Sequence, residues 1–156
     1  MILTVFSHKK VPSAAIARYA LAEFLRLNGR EIYDAEYLHR ADGSPYFDRE
    51  NAPYISVSHS ADYVAAAISY SPVGIDIQAH TEIDYDKIAE RFGMKVNSKE
   101  DFFDAFSAAE AKTKALRVPL AESLRSPEGK IFHFIPRFTL AIYGEGEIFF
   151  TFCFEG

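Results

Sequence analysis

The sequence predicts an α+β protein built from two related halves that meet near Pro72. Short runs with alternating or continuous apolar character are separated by Gly, Pro, Asn and Ser, a pattern typical of strands joined by turns. Three longer segments show the apolar spacing of helices. The predicted order is β-α-β-β-β followed by β-α-α-β-β-β. Each half therefore combines helix with a small sheet.

The first half, residues 1–72, is predicted to hold one helix among four strands. The helix begins at Pro12 and Ser13, which suit a helix start. It ends at Asn28 and Gly29, since glycine readily adopts the left-handed conformation that closes a helix. The predicted strands are residues 2–6, 32–38, 54–58 and 63–70, with a turn at 41–45.

The second half, residues 73–156, is predicted to begin with a strand at 73–77. Two helices follow at 84–92 and 99–116, and the longer one carries an apolar stripe that should face the core. The stripe consists of Phe102, Phe103, Phe106, Ala109, Thr113 and Leu116. The last predicted strands are residues 131–135, 138–143 and 147–154, with a turn at 144–146 between the final two.

Composition and charge exclude several classes of protein. The 156 residues are 49% hydrophobic and 15% aromatic, enough for one core shared by both halves. A net charge of −5, concentrated in residues 41–110, argues against a nucleic-acid partner. No apolar run reaches the length of a membrane span, and the first residues do not form a signal peptide. We therefore expect a cytoplasmic protein without a membrane partner. The single cysteine, Cys153, excludes an intrachain disulfide.

Asp76 and Gln78 are the candidate metal ligands. They lie two residues apart in a predicted strand, so both side chains should share one face. Side-chain oxygens of this kind suit a hard cation such as Mg²⁺. An acidic residue at the solvated end of a strand is the alternative interpretation.

Glu110 and Lys114 lie four residues apart on the second helix of this half and therefore share a face. If Glu110 converges with Asp76, two carboxylates can hold one metal and Lys114 can meet a phosphate. That combination serves phosphoryl chemistry. A surface ion pair, which contributes little, is the alternative.

Three further features are weaker candidates for contacts with an anionic ligand. His59 follows a strand and has serine on either side. Gly43-Ser44-Pro45 is a turn at which a ligand can approach the backbone closely, because glycine has no Cβ. Arg18 lies on the first helix. Each also has a purely structural explanation, as a hydrogen-bonded histidine, a plain turn and a surface arginine.

In order and spacing, four segments resemble the phosphopantetheinyl transferase superfamily. They are Gly43-Ser44-Pro45-Tyr46-Phe47, Ile55-Ser56-Val57-Ser58-His59-Ser60, Val73-Gly74-Ile75-Asp76-Ile77-Gln78 and Phe106-Ser107-Ala108-Ala109-Glu110-Ala111-Lys112-Thr113-Lys114-Ala115. A full half containing the Ser-His-Ser segment precedes Gly74. The chain therefore resembles the longer, surfactin-synthetase-activator form rather than the short holo-carrier synthase form. The resemblance implies that the halves 1–72 and 73–156 pack as an intramolecular pseudodimer with the site between them.

The resemblance also implies an activity. Such enzymes transfer 4′-phosphopantetheine from coenzyme A to a serine of an acyl or peptidyl carrier protein and release 3′,5′-ADP. A fused pseudodimer has less need to self-associate, so a monomer is expected. Lys112, Arg117 and Arg91 are candidates for a rim that meets an acidic carrier, and they are equally well explained as solvated helix residues.

The family's roles fall on particular residues of this sequence. Glu110 or a metal-bound water would deprotonate the carrier serine, and Lys114 would stabilise or protonate the leaving group. The metal would lie on Asp76, Gln78 and Glu110. The coenzyme A contacts would be made by Arg18, Gly43, Pro45, Ser58, His59 and Lys114.

Three positions depart from the family pattern. Gln78 stands where Glu is common, and Ala109 and Ser44 stand where Lys is usual. The lost charges should weaken the binding of metal and phosphate. Two rival interpretations follow: a degenerate relative that binds coenzyme A or a carrier without transfer, and an interaction module in which the motif matches are accidental.

Overall fold

A computed structural model describes residues 1–153 and shows an α+β chain. Helices and strands alternate along it much as the apolar periodicity indicates. In chain order the elements are β1 (Ile2–Ser7), α1 (Ser13–Leu27), β2 (Glu36–His39), β3 (Pro45–Asp48), β4 (Tyr54–Ser60), β5 (Tyr63–Ser69), β6 (Gly74–Ala79), α2 (Tyr85–Arg91), α3 (Lys99–Leu116), α4 (Leu120–Arg125), β7 (Lys130–Phe132), β8 (Phe138–Tyr143) and β9 (Ile148–Phe152). None of the helices in residues 1–153 has the length and apolar character needed to cross a membrane.

The strands form two main sheets and a separate hairpin. The first sheet has the order β4-β5-β1-β9, the second has the order β6-β8-β7, and β2 pairs with β3. The final strand β9 runs parallel to β1 and returns to the first sheet. In the first sheet, β5 of the β4–β5 hairpin pairs antiparallel with β1, the strand that precedes α1. In the second sheet, β8 of the β7–β8 hairpin pairs antiparallel with β6, the strand that precedes the helices α2 to α4. The two sheets therefore share a β-α-β-β topology.

The two main sheets pack face to face, and a long helix covers each outer face. Alternation along the strands divides their side chains between two clusters. Leu3 and Val5 join the core beneath α1, whereas Ile2 and Phe6 enter the inner cluster. On β6, Ile75 and Ile77 point inward. The inner cluster comprises Ile2, Phe6, Ala65, Ala67, Val73, Ile75, Ile77, Leu140 and Ile142.

Three serines of β4 join the first sheet to β6. Their hydroxyl oxygens accept hydrogen bonds from backbone N–H groups of β6, where an ordinary ladder would use carbonyl oxygens. The pairs are Ser56 with Ile75 (3.0 Å), Ser58 with Ile77 (3.0 Å) and Ser60 with Ala79 (2.9 Å). The Ser-x-Ser-x-Ser spacing of β4 thus places β6, and with it Asp76, directly beside Ser58.

Helix α3 approaches β6 closely because Gly74 has no side chain. A Cβ added at Gly74 would overlap the backbone carbonyl oxygen of Ala111 and lie 2.8 Å from the amide nitrogen of Ala115. Ser107, Ala108 and Ala111 are buried on α3, so the helix as well presents small side chains. This contact sets the height of Glu110 and Lys114 above the strand.

Most predicted elements are confirmed, and α3 and β8 have the predicted bounds. The strand predicted at 32–38 is wrong in its first part. Strand β2 begins at Glu36, because its partner β3 ends opposite it at Asp48. Strand β3 and helix α4, which are short, were not predicted. Strand β9 ends at Phe152, and residue 154 of the predicted strand lies outside the described residues.

The predicted stripe of α3 is partly wrong. Leu116 is 43% exposed. Phe102, Phe103 and Ala109 are buried, as predicted. The three phenylalanines pack in a cluster with residues of α2, and Thr113 donates a hydrogen bond to Ser123 of α4 at 2.8 Å. Leu116 lies in the last turn of α3 and stays in contact with solvent.

Candidate active site

Asp76 is a buried carboxylate on the face of β6 that α3 covers. Its side chain is 5% exposed. The Oδ2 atom accepts a hydrogen bond from Gln78 Nε2 at 2.9 Å. The Oδ1 atom accepts from Ser58 Oγ at 3.4 Å and from Lys114 Nζ at 3.5 Å. Asp76 and Gln78 therefore share a face. The alternative interpretation, an acidic residue at the solvated end of a strand, is wrong for Asp76 because its side chain is buried.

Lys114 extends from α3 into the joint between β4 and β6, where Ser56, Ser58 and Ser60 bond the backbone of β6. Its ammonium group donates to the carbonyl oxygen of Ile75 at 2.9 Å, to that of Val57 at 3.3 Å and to Asp76. An ammonium group has three N–H donors, so these contacts occupy all of them. The ion pair of Lys114 is made with Asp76, and the predicted alternative of a surface pair with Glu110 is not what the structure shows.

Glu110 lies one turn before Lys114 and is half-buried. Burial raises the pKa of its carboxyl group, the neighbouring carboxylate of Asp76 raises it further, and Lys114 opposes both. Within residues 1–153, the Glu110 carboxylate forms no hydrogen bond or ion pair. Burial also raises the pKa of Asp76. Two like charges held together in a poorly solvated place are costly, and such arrangements are typical of functional sites.

The donor set fits a hard divalent cation that shares its coordination with a ligand. Asp76 and Glu110 provide carboxylate oxygens, and a half-turn of the Gln78 amide would supply a third oxygen. Mg²⁺ is usually bound by one or two carboxylates together with water and phosphate oxygens. In residues 1–153 no group of three or more His, Cys, Asp or Glu side chains is arranged to hold a metal. A metal held here would complete its coordination with water or ligand oxygens.

A cavity of about 400 Å³ lies between the β2–β3 turn, β4 and the end of α3. Gly43 and Pro45 line it, and so does Lys114, which connects it to Asp76. Two arginines that were not among the predicted ligand contacts, Arg40 and Arg117, also line it. Arg40 lies three residues before Gly43 and Arg117 lies three residues after Lys114, so both could have been sought beside the motifs. The other lining residues are Asp42, Ser44, Tyr54, Ile55, Ser56, Val57, Val73, Thr113, Ala115 and Val118.

The remaining predicted ligand contacts lie elsewhere. Ser58 is buried in the joint, where it bonds Asp76 and Ile77. His59 is exposed, because alternation turns it away from Ser58. Arg18 is exposed on α1 and pairs with Asp34 at 3.6 Å. The structure does not bring His59 or Arg18 into the cavity.

The Asp76→Asn variant of the metal-free protein is expected to gain stability relative to the wild type as the pH rises. Because burial raises the pKa of Asp76 above 3.8, the folded state holds this proton more tightly than the unfolded chain does. The free energy of unfolding contributed by Asp76 therefore falls as the pH rises from 3.8 through the raised pKa. Asparagine has no charge to desolvate. In EDTA, the Tm of the variant relative to wild type should rise between about pH 4 and about pH 7.

Magnesium provides the control for this prediction. An ion that binds only the folded state raises Tm, so Mg²⁺ should stabilise the wild type and leave Asp76→Asn unchanged. A variant that loses stability relative to wild type as the pH rises, or that responds to Mg²⁺ as the wild type does, would contradict the assignment of Asp76.

Comparison with known proteins supports the class that the motifs indicate. The chain is 36% identical over 85 residues to the protein named "4'-phosphopantetheinyl transferase gsp" of Aneurinibacillus migulanus. The match covers 47% of this chain and 35% of that protein, so the chain spans about a third of its relative's length. No family model matches the chain. The similarity supports a transferase role within the phosphopantetheinyl transferase superfamily.

Proposed function

We propose that this chain transfers 4′-phosphopantetheine from coenzyme A to a serine of an acyl or peptidyl carrier protein, with release of 3′,5′-ADP. The observation that carries the proposal is the convergence of Asp76, Glu110 and Lys114. A strand and a helix that are remote in sequence bring two carboxylates with raised pKa values and one ammonium group together. The partial similarity to a named phosphopantetheinyl transferase supports it.

We further propose that the chain is a fused pseudodimer of the surfactin-synthetase-activator form, acting as a monomer. Support comes from the shared β-α-β-β topology of the two main sheets and from the joint between β4 and β6. The cavity has walls from both sides of this joint, because β4 and the Gly43 turn face the end of α3. In this proposal the nucleotide part of coenzyme A lies in the cavity and its pyrophosphate lies toward Asp76.

In the proposed reaction, Glu110 is the base. Its carboxylate is half-buried and has no hydrogen bond within the described chain to compete for the proton, and in the metal-free chain its pKa is raised. The serine oxygen of the carrier attacks the β-phosphorus of coenzyme A while Glu110 takes the hydroxyl proton. The bond from that phosphorus to the 3′,5′-ADP oxygen breaks.

Lys114 would stabilise the departing oxygen. To do so it must exchange one of its three hydrogen bonds, and the longest is the 3.5 Å contact with Asp76. Its bonds to Ile75 and Val57 would keep the ammonium group in place during this exchange. Asp76, Glu110 and Gln78 would hold Mg²⁺, which neutralises charge on the pyrophosphate.

The carrier would meet the rim of the site. Carriers of this family are acidic around their serine, so cations on the rim are expected to matter. Lys112 is a weak candidate, because its ammonium group is already engaged by Glu128 at 2.7 Å and by the Ser126 carbonyl oxygen at 2.9 Å. Arg91 is exposed at the end of α2 and remains a candidate.

A second function, binding without transfer, is favoured by one observation. Gln78 directs its amide nitrogen rather than its oxygen at Asp76, and it replaces a carboxylate common in the family. A degenerate relative of this kind would bind coenzyme A or a carrier and leave the carrier serine unmodified.

Mass spectrometry of an apo acyl carrier protein distinguishes the two functions. After incubation with the chain, coenzyme A and Mg²⁺, we expect the carrier to gain the mass of one phosphopantetheine arm, and EDTA to prevent the gain. A carrier with its acceptor serine replaced by alanine is the matched control. Coenzyme A binding without a gain on several carriers would establish the second function instead.

A further inference from the structure

Arg117 has a backbone conformation that arginine rarely adopts. It follows the last residue of α3 with φ 57° and ψ 44°, in the left-handed region, where a Cβ crowds the following carbonyl. Glycine is the residue that closes helices in this way without steric cost. A purely structural helix end would therefore favour glycine. Because Arg137 has a similar φ of 64°, only the contacts of the Arg117 side chain can indicate a use for it.

The Arg117 side chain crosses from one wall of the cavity to the other. Its Nε atom donates to Asp42 Oδ2 at 2.9 Å, over 75 residues of sequence. Asp42 is itself held by Ser44, whose backbone N–H and hydroxyl donate to Oδ1 at 3.0 and 2.6 Å. The guanidinium group is therefore oriented by a carboxylate that the Gly43 turn positions. An exposed ion pair of this kind adds little to stability.

The remaining donors of Arg117 are not used by any residue that the structure describes. Within residues 1–153 neither Nη atom of Arg117 forms a hydrogen bond, although the residue lines the cavity. Arg40 lines the same cavity. Its Nη1 donates to the Pro45 carbonyl oxygen at 3.2 Å, and its guanidinium lies 4.7 Å from the centre of the Tyr46 ring. These contacts fix Arg40 and leave its other donors available.

The cavity lining suits a nucleotide. Its cationic side chains are Arg40, Lys114 and Arg117, against one carboxylate, Asp42. Apolar surface from Tyr54, Ile55, Val57, Val73 and Val118 adjoins them. A volume of about 400 Å³ lies within the usual range of ligand pockets. Arginine donors beside apolar walls match a phosphate beside a base.

We propose that Arg117, oriented by Asp42 and assisted by Arg40, is a specificity-determining contact for a phosphate group in the nucleotide part of coenzyme A. This inference rests on the proposed function. In it Arg117 replaces part of the positive charge that Ser44 and Ala109 lack.

The test is calorimetric binding of coenzyme A, dephospho-coenzyme A and 3′,5′-ADP to the whole chain and to Arg117→Gly. Glycine fits the left-handed conformation, so the variant should fold and keep its Tm within a few degrees. We expect its Kd for coenzyme A to rise about 10-fold, because a charged hydrogen bond to phosphate is lost. An effect on coenzyme A and 3′,5′-ADP alone would assign the contact to the ribose phosphate. An equal effect on all three would assign it to the pyrophosphate side.

Arg137→Gly is the matched control. Arg137 is also an exposed arginine with positive φ (64°), and it does not line the cavity. Its replacement removes the same charge and relieves the same backbone conformation, so coenzyme A binding should be unchanged. If Arg117→Gly binds coenzyme A as wild type does, or if Arg137→Gly weakens binding equally, this inference is wrong while the proposed function stands. A wild-type chain that binds no coenzyme A would overturn both.

Discussion

The Glu110→Gln variant is expected to lower the rate of phosphopantetheine transfer by about 1000-fold, since the general base is lost and the metal keeps only an uncharged amide ligand at this position. Glutamine keeps the shape of the side chain and cannot accept the proton. Within residues 1–153 Glu110 forms no hydrogen bond that the change would break, and its raised pKa means that its charge is already costly in the folded state. The Tm should therefore hold or rise while activity disappears. The measurement is the initial rate of carrier modification, followed by mass spectrometry.

Glu122→Gln provides the comparison for this experiment. Glu122 lies exposed on α4, which packs against α3, so its replacement removes a charge from the same region without touching the candidate site. Its rate should equal that of the wild type. Full turnover by Glu110→Gln would show that Glu110 is not the base and that its charge is not needed to hold the metal.

The Gly74→Ala variant is expected to lose about 3 kcal/mol of stability, the upper part of the range for overpacking a core. The added Cβ would meet the backbone of Ala111 and Ala115, and a helix backbone cannot move aside as a flexible side chain can. Helix α3 would have to shift away from β6, taking Glu110 and Lys114 with it. For a chain of this size the Tm should fall by roughly 10 °C. Transfer activity should fall even at temperatures where the variant remains folded.

Gly129→Ala separates this steric effect from the general cost of replacing glycine. Gly129 also lies against α3 and, like Gly74, it does not have positive φ. A Cβ there would be 3.3 Å from the Ile142 carbonyl oxygen and 3.7 Å from the Ala108 side chain, a much milder contact. Its stability should change by less than about 1 kcal/mol. Equal losses in the two variants would show that the close approach at Gly74 is not what limits substitution.

Local pattern predicted the elements well where it was strong. The apolar spacing of residues 99–116 and the alternation of 138–143 gave the bounds that α3 and β8 have in the structure. The short elements were not predicted from their apolar pattern. Strand β3 has only four residues and α4 only six, too few for a period to stand out. The first part of the strand predicted at 32–38 failed because a strand needs a partner, and β3 ends opposite Glu36.

The residues of the candidate site were predicted from the sequence, but the hydrogen bonds between them were not. Alternation on β6 paired Asp76 with Gln78, and helical spacing paired Glu110 with Lys114. Neither period shows that Lys114 donates to the carbonyl oxygens of Val57 and Ile75. Those acceptors are backbone atoms, which every residue possesses, so sequence has no means of distinguishing them.

Local sequence patterns were enough to predict the fold class, most elements, the family resemblance and the residues that gather around Asp76. These follow from interactions within a few residues, where a strand alternates every two residues and a helix turns every 3.6. The packing of distant segments was needed to show that β9 returns to pair with β1, that His59 and Arg18 lie away from the cavity, and that Arg117 contacts Asp42. Such contacts join segments far apart in the chain. They depend on how whole sheets pack, which no local period records.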